Sequence, residues 1–153
     1  NKDIVAVFVG KGNEKEKLMN DANKQGLNNV YFLDPVDKRM VPSLLKEMDV
    51  LYLGGKNQPL YQYGTSQTKL FDYMQAAKPV IQTISPPNNY VAEAQCGITI
   101  VGDGALAVAN GIEKMMNYSK QELGEMGMRG KLYCNSHFNY RKLSFDFMKY
   151  INE

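Results

Sequence analysis

The chain reads as an α/β domain of three layers: a mostly parallel sheet, helices on both of its faces, and a helical C-terminal part. Three observations predict this. Short apolar runs recur at 5–9, 30–33, 50–53, 79–83 and 97–101. Segments of helical composition separate them. The connections are short, and right-handed crossovers between parallel strands then place helices on both faces.

Each element has its own justification. Residues 5–9, Val-Ala-Val-Phe-Val, are apolar throughout and bounded by Gly10, the pattern of a strand buried in a parallel sheet. Residues 10–13 form a turn. A helix is expected over 14–25, with Leu18, Met19 and Ala22 at helical spacing and Gly26 as its stop. The strand 30–33 closes at Asp34-Pro35. A short helix over 40–48 sets Val41, Leu44, Leu45 and Met48 on one face. The strand 50–53 leads into a loop over 54–64 rich in Gly, Asn, Gln and Tyr. A helix over 67–77 follows. The strand 79–83 has Pro79 at its first position, where a missing N–H is tolerated. Residues 85–89 turn into a short helix that runs through Ala94, and the fifth strand spans 97–101. Helices over 105–118, 120–136 and 140–151 complete the chain, and Ser119 with Glu122 reads as a capping box for the second of these.

Composition narrows the function. At 153 residues the chain is one domain, or one domain of a larger protein, and Asn1 as its first residue favours the second. Hydrophobic residues make up 44%, enough for a core. The net charge of +2 is spread among both signs, which argues against a nucleic-acid partner. Cys96 and Cys134 form no Cys-x-x-Cys pair and His137 is the only histidine, so no metal-ligand cluster is predicted. Free thiols in a reducing compartment are expected instead of a disulfide. Asn117-Tyr118-Ser119 matches a glycosylation sequon, which matters only in a secreted protein. No run is apolar enough to cross a membrane and no signal peptide is visible.

The stretch 63–81 carries the most chemistry. A polar loop containing Gly64 enters a helix bearing Lys69 and Asp72. Such a loop turns helix amides and the positive end of the dipole toward an anion. Lys69 offers a point charge to phosphate, or is a surface lysine. Asp72 accepts from sugar hydroxyls, or is a solvated carboxylate paired with Lys69 one turn away. Ser66 and Thr68 donate to phosphate oxygens, cap the helix, or both. Gly10 and Gly12 let a nucleotide approach the backbone, or serve a tight turn; the third glycine of a dinucleotide fingerprint is missing. Glu93 reads as structural, His137 as a surface or packing residue, and most of the nine methionines as packing. In a parallel sheet ligands bind at the carboxyl ends of the strands, which puts the loops 10–13, 34–38, 54–67 and 83–89 on the ligand side. A ligand with phosphates at one end and a sugar at the other, such as a nucleotide sugar, suits the set.

Several motifs taken in order resemble a known family. They are Val-Gly-x-Gly at 9–12, Asn-Val-x-Phe-Leu at 29–33, Met-Asp-Val at 48–50, Lys-Leu-Phe-Asp-Tyr-Met-x-Ala-x-Lys-Pro-Val-Ile at 69–81 and Ala-x-x-Gly-Ile at 94–98. The chain is similar along nearly its whole length to the donor-binding C-terminal domain of group 1, family 4 retaining glycosyltransferases, especially bacterial members that build surface polysaccharides. The resemblance implies a Rossmann-like domain, one half of a GT-B fold, whose other half binds the acceptor. It implies transfer of a sugar, of hexosyl or N-acetylhexosaminyl type, from a nucleoside diphosphate donor (a UDP-sugar first) to a hydroxyl acceptor. It implies Asp72 on the ribose, and Gly64, Thr65, Ser66, Gln67, Thr68 and Lys69 on the diphosphate. Gly10, Gly12, Leu33, Asp34, Pro35 and Val36 then serve the nucleotide and its base. No metal or other cofactor is implied, and no catalytic residue is assigned. The family often has Glu where this chain has Gly64, eight positions before Asp72, which leaves the donor-sugar contact to a neighbour such as Tyr63 or Ser66. The implied partners are the nucleotide sugar and the chain's own N-terminal acceptor domain. The implied location is the cytoplasm, with any contact to the inner face of the membrane made through that other domain. A binding module without catalysis, or an NAD-dependent Rossmann-type epimerase or dehydrogenase, are the alternatives; Asp34 is the sole candidate for an adenine ribose.

Overall fold

The computed structural model describes residues 3–56, 58–100, 102 and 104–151. The chain divides between Val41 and Pro42 into two compact units. The first contains β1 (Ala6–Val9), α1 (Lys15–Lys24) and β2 (Val30–Leu33). The strands pair in parallel, with Phe8 opposite Phe32 and the two rings stacked at 5.2 Å. A Schellman arrangement closes α1, in which Leu27 N–H donates to Ala22 O and Gly26 N–H to Asn23 O. The expected apolar face of α1 is buried only at Ala22, while Leu18 and Met19 stay exposed. Two strands offer too little surface to cover a helix stripe.

The second unit begins with the body of α2 (Val41–Lys46), which a 3-10 turn at Lys38–Met40 precedes. Then come β3 (Leu51–Leu53), α3 (Thr68–Gln75), β4 (Val80–Gln82), α4 (Tyr90–Glu93) and β5 (Gly97–Thr99). Three helices follow: α5 (Ala105–Met116), α6 (Lys120–His137) and α7 (Tyr140–Ile151). The sheet has the order β3-β4-β5 and is parallel throughout. Val101, the expected end of the fifth strand, lies outside the described residues, as does Asn57 of the 54–64 loop. Within that loop a 3-10 turn forms at Pro59–Tyr63, and proline in its first turn is the local signal for it.

Alternation along β4 explains the layers of this unit. Val80 joins Leu53, Leu70, Met74, Val91, Cys96 and Cys134 on one face. Ile81 joins Ile100, Met115 and Met126 on the other. The strand is buried on both sides, which is why Pro79, Val80 and Ile81 read as an apolar run. Cys96 and Cys134 are buried free thiols, and burial pushes the Cys96 thiol up to about 11. The capping box at Ser119 and Glu122 forms as predicted, with Ser119 N–H donating to Glu122 Oε2 at 2.7 Å and Glu122 N–H to Ser119 Oγ at 3.2 Å. No helix among the described residues is long and apolar enough to cross a membrane.

An aromatic group of Phe71, Tyr90, Tyr133 and Phe138 fastens α3, α4 and α6 together. Tyr133 Oη donates to Glu93 Oε2, so Glu93 has the structural role read from the sequence, and His137 stacks on Tyr133. Burial, and then the Glu93 carboxylate, push the Tyr133 phenol up to about 12. A phenol raised in the folded state stabilises fully below its ordinary value of about 10, and that contribution is lost as pH rises through about 12. Unfolding curves across this alkaline range are expected to show a fall in stability that Tyr133→Phe removes.

Candidate functional site

The carboxyl ends of β3 and β4 are held together by side chains. Thr83 Oγ1 accepts from Gly55 N–H and donates to Gly55 O, both at 2.8 Å. The 3-10 turn that follows returns the chain to Gly64, whose N–H donates to Tyr61 O. Gly64 sits at φ 101°, a conformation that strains any side chain, and a Cβ there would stand 3.0 Å from Asn88 Oδ1. This is a physical reason for glycine at position 64 in this chain.

Beyond Gly64 the chain runs into α3. Gln67 occupies the N-cap in extended conformation, with no side chain capping the helix. Ser66 and Thr68 are exposed and do not cap it, so the capping role open to them in the sequence is not taken up. The N–H groups of Ser66, Gln67, Thr68 and Lys69 have no hydrogen-bond partner among the described residues; the first amide with one is Leu70, which donates to Gln67 O at 3.0 Å. The Thr65 N–H is committed to Asn88 Oδ1 at 2.8 Å. Four consecutive unpaired donors at the positive end of a helix dipole offer hydrogen bonds and partial positive charge of the kind an anion takes.

The side chains around these amides are set by the burial of α3. Leu70 and Met74 anchor its inner face, at 5% and 0% exposure. The opposite face therefore presents Thr68, Lys69 and Asp72 to solvent. Lys69 and Asp72 lie one turn apart, yet they make no ion pair with each other or with any described residue. Both charges remain available to a ligand, and the self-paired alternative is not formed. Gln67 Oε1 is buried without a partner. As oriented it accepts and cannot donate, so it suits a hydroxyl better than a phosphate oxygen.

The sequence-predicted residues of the first unit form a separate group. Gly10 N–H donates to Leu33 O at 3.2 Å, which joins the ends of β1 and β2. Leu33 at the end of β2 and Asp34, Pro35 and Val36 beyond it are exposed. A cavity of about 230 Å³ lies against Phe8, Gly10, Gly12, Lys15, Leu18 and Phe32. Lys15 is the residue that sequence reasoning missed here. Its Nζ donates to Gly10 O at 3.2 Å, to Leu33 O at 2.9 Å and to Asp34 Oδ1 at 2.9 Å. Those three bonds use every ammonium donor, so Lys15 organises the two loops and has none left for a phosphate. Asp34, read as a nucleotide contact, already has one carboxylate oxygen engaged.

Lys15→Met is expected to cost roughly 1–2 kcal/mol, from the two carbonyls left without their charged donor. The Asp34 side chain is 96% exposed, so its ion pair contributes little. Denaturant unfolding of Lys15→Met beside Asp34→Asn checks this: the first should fall clearly and the second hardly at all.

The family model described as "Glycosyl transferases group 1" matches residues 1–118. Among solved structures, a sucrose-phosphate synthase from Thermosynechococcus elongatus superposes with a TM-score of 0.77 at 15% identity. The match covers 95% of this chain and 37% of that one, so the chain spans well under half the length of this similar protein. At that identity the likeness carries the fold alone: parallel α/β with a helical C-terminus, as in GT-B glycosyltransferases. No curated protein sequence matches the chain.

Proposed function

Since this chain belongs to the group 1 glycosyltransferase family, we propose that it is the donor-binding part of a retaining enzyme that takes its sugar from a nucleoside diphosphate. A UDP-sugar is the first donor to test. The observation that carries this reading is the row of unpaired amides at the start of α3, with Lys69 and Asp72 exposed beside them. In the proposed reaction the bond from the anomeric carbon to the diphosphate breaks, and its electron pair leaves with the diphosphate. The acceptor hydroxyl oxygen bonds to the anomeric carbon and releases its proton. The amides of 66–69 and Lys69 meet the charge that grows on the leaving group, in a geometry set before the reaction. Asp72 accepts from the ribose hydroxyls. Gly10, Gly12 and residues 33–36 are the proposed contacts of the nucleotide and base.

The acceptor site and the catalytic base belong, in this reading, to an N-terminal domain of the same protein. Surface polysaccharide or glycolipid synthesis on the cytoplasmic side of a membrane is the proposed setting. The domain alone then binds donor without turning it over.

Calorimetric titration with UDP, GDP and NAD tests the proposal. Saturable binding of one nucleoside diphosphate in preference to NAD is the expected result and identifies the base. Preference for NAD overturns it in favour of an oxidoreductase.

A further inference from the structure

Asn88 lies 23 residues from Thr65 in sequence, in the loop that follows β4. Both the oxygen and the nitrogen of its side-chain amide bond the Thr65 backbone. Asn88 Oδ1 accepts from Thr65 N–H at 2.8 Å, and Asn88 Nδ2 donates to Thr65 O at 2.7 Å. This is how a neighbouring strand would hold the residue, supplied here by one side chain.

The next residue fixes the loop that presents Asn88. Asn89 Oδ1 accepts from Ala92 N–H at 3.1 Å and caps α4. Asn89 Nδ2 donates to Thr99 Oγ1 on β5 at 2.9 Å. Gln82 on β4, only 3% exposed, donates to Ile84 O at 2.6 Å and to Asn89 Oδ1 at 3.3 Å. Asn88 is therefore mounted on a frame rooted in two adjacent strands of the sheet.

From this geometry we infer that Asn88 is the positioning residue of the α3 anion site: it fixes where the unpaired amides begin and which way they point. The inference rests on the reading of that site as the seat of the donor diphosphate. Two consequences follow from the contacts. The Thr65 N–H is taken, so the free row starts at Ser66. Gly64 sits at φ 101°, and the Asn88 carboxamide lies 3.0 Å from where a Cβ on Gly64 would stand, so the turn before the free row admits only glycine. A carboxylate of the same shape still accepts from Thr65 N–H. It cannot donate to Thr65 O, and it puts a negative charge beside the anion.

The test is titration of the wild-type chain, Asn88→Ala and Asn88→Asp with inorganic pyrophosphate, UDP and uridine, at low and at raised salt. The expected result is a loss of about tenfold in pyrophosphate and UDP affinity for Asn88→Ala, close to 1.4 kcal/mol, with uridine binding unchanged. Asn88→Asp should lose more at low salt and recover part of it as salt screens the added charge. Should Asn88→Ala fail to fold, the near-isosteric Asp variant decides alone. Unchanged pyrophosphate affinity in a folded variant overturns the inference, and so does an equal loss of uridine and pyrophosphate, since that reports general damage. Wild-type protein that binds neither UDP nor pyrophosphate removes the donor-site reading itself, and with it anything for Asn88 to position.

Discussion

Asp72→Ala is expected to weaken UDP binding by roughly 10- to 100-fold, the effect of one or two charge-assisted hydrogen bonds to ribose hydroxyls. Inorganic pyrophosphate, which has no ribose, should bind the variant about as well as wild type. The folded state should be unaffected, because the Asp72 side chain is exposed and makes no hydrogen bond or ion pair with any described residue. Asp72→Asn separates charge from shape. An amide oxygen still accepts a hydroxyl hydrogen, but without the strengthening that a carboxylate gives. Calorimetry with UDP and pyrophosphate on the three proteins checks the pattern. Equal losses for both ligands would move Asp72 from the ribose to a general electrostatic role.

Gly127→Val is expected to damage the fold severely. Gly127 lies on α6, where the helix crosses the link between α3 and β4. A Cβ there would stand 2.0 Å from Ala77 O and 2.9 Å from Lys78 N. These are backbone atoms, which cannot swing aside as a long side chain does. Forcing α6 outward disturbs Met126 and Cys134, which belong to the packing on the two faces of the sheet. A loss of about 3 kcal/mol or more is expected, at the upper end of overpacking effects. In a chain of this size that corresponds to a fall of roughly 6–12 °C in Tm. A Tm within error of wild type would mean that α6 does not approach the Ala77 carbonyl so closely. Because Ala77 follows α3, the same variant should also weaken pyrophosphate binding.

Much of the fold follows from local pattern. The strand Val30–Leu33 and the helix Tyr140–Ile151 form where the spacing of apolar residues puts them. The Gly26 stop and the Ser119 capping box also form, since each is encoded within a few neighbouring residues. The site was legible in part. The Gly64-to-Asp72 segment could be read because the exposed Lys69 and Asp72 and the buried Leu70 and Met74 share one helical period. The side chains that hold it in place could not. Asn88 binds Thr65 across 23 residues and Lys15 binds Leu33 across 18, and no local periodicity announces such a pair. Ser66 and Thr68 illustrate the opposite failure. Hydroxyls before a helix suggest caps, yet the backbone places Gln67 at the N-cap and leaves the amides unpaired. Leu18 and Met19 have core spacing but meet only a two-stranded sheet.

The amides at the start of α3 are proposed to take up the diphosphate. Amide chemical shifts followed by NMR during titration with inorganic pyrophosphate and then UDP address it most directly. Saturable shifts are expected for the N–H groups of Ser66, Gln67, Thr68 and Lys69 with both ligands, while Thr65, already bonded to Asn88, moves far less. Saturable binding that leaves those four amides unmoved would contradict it and place the anion elsewhere on the chain.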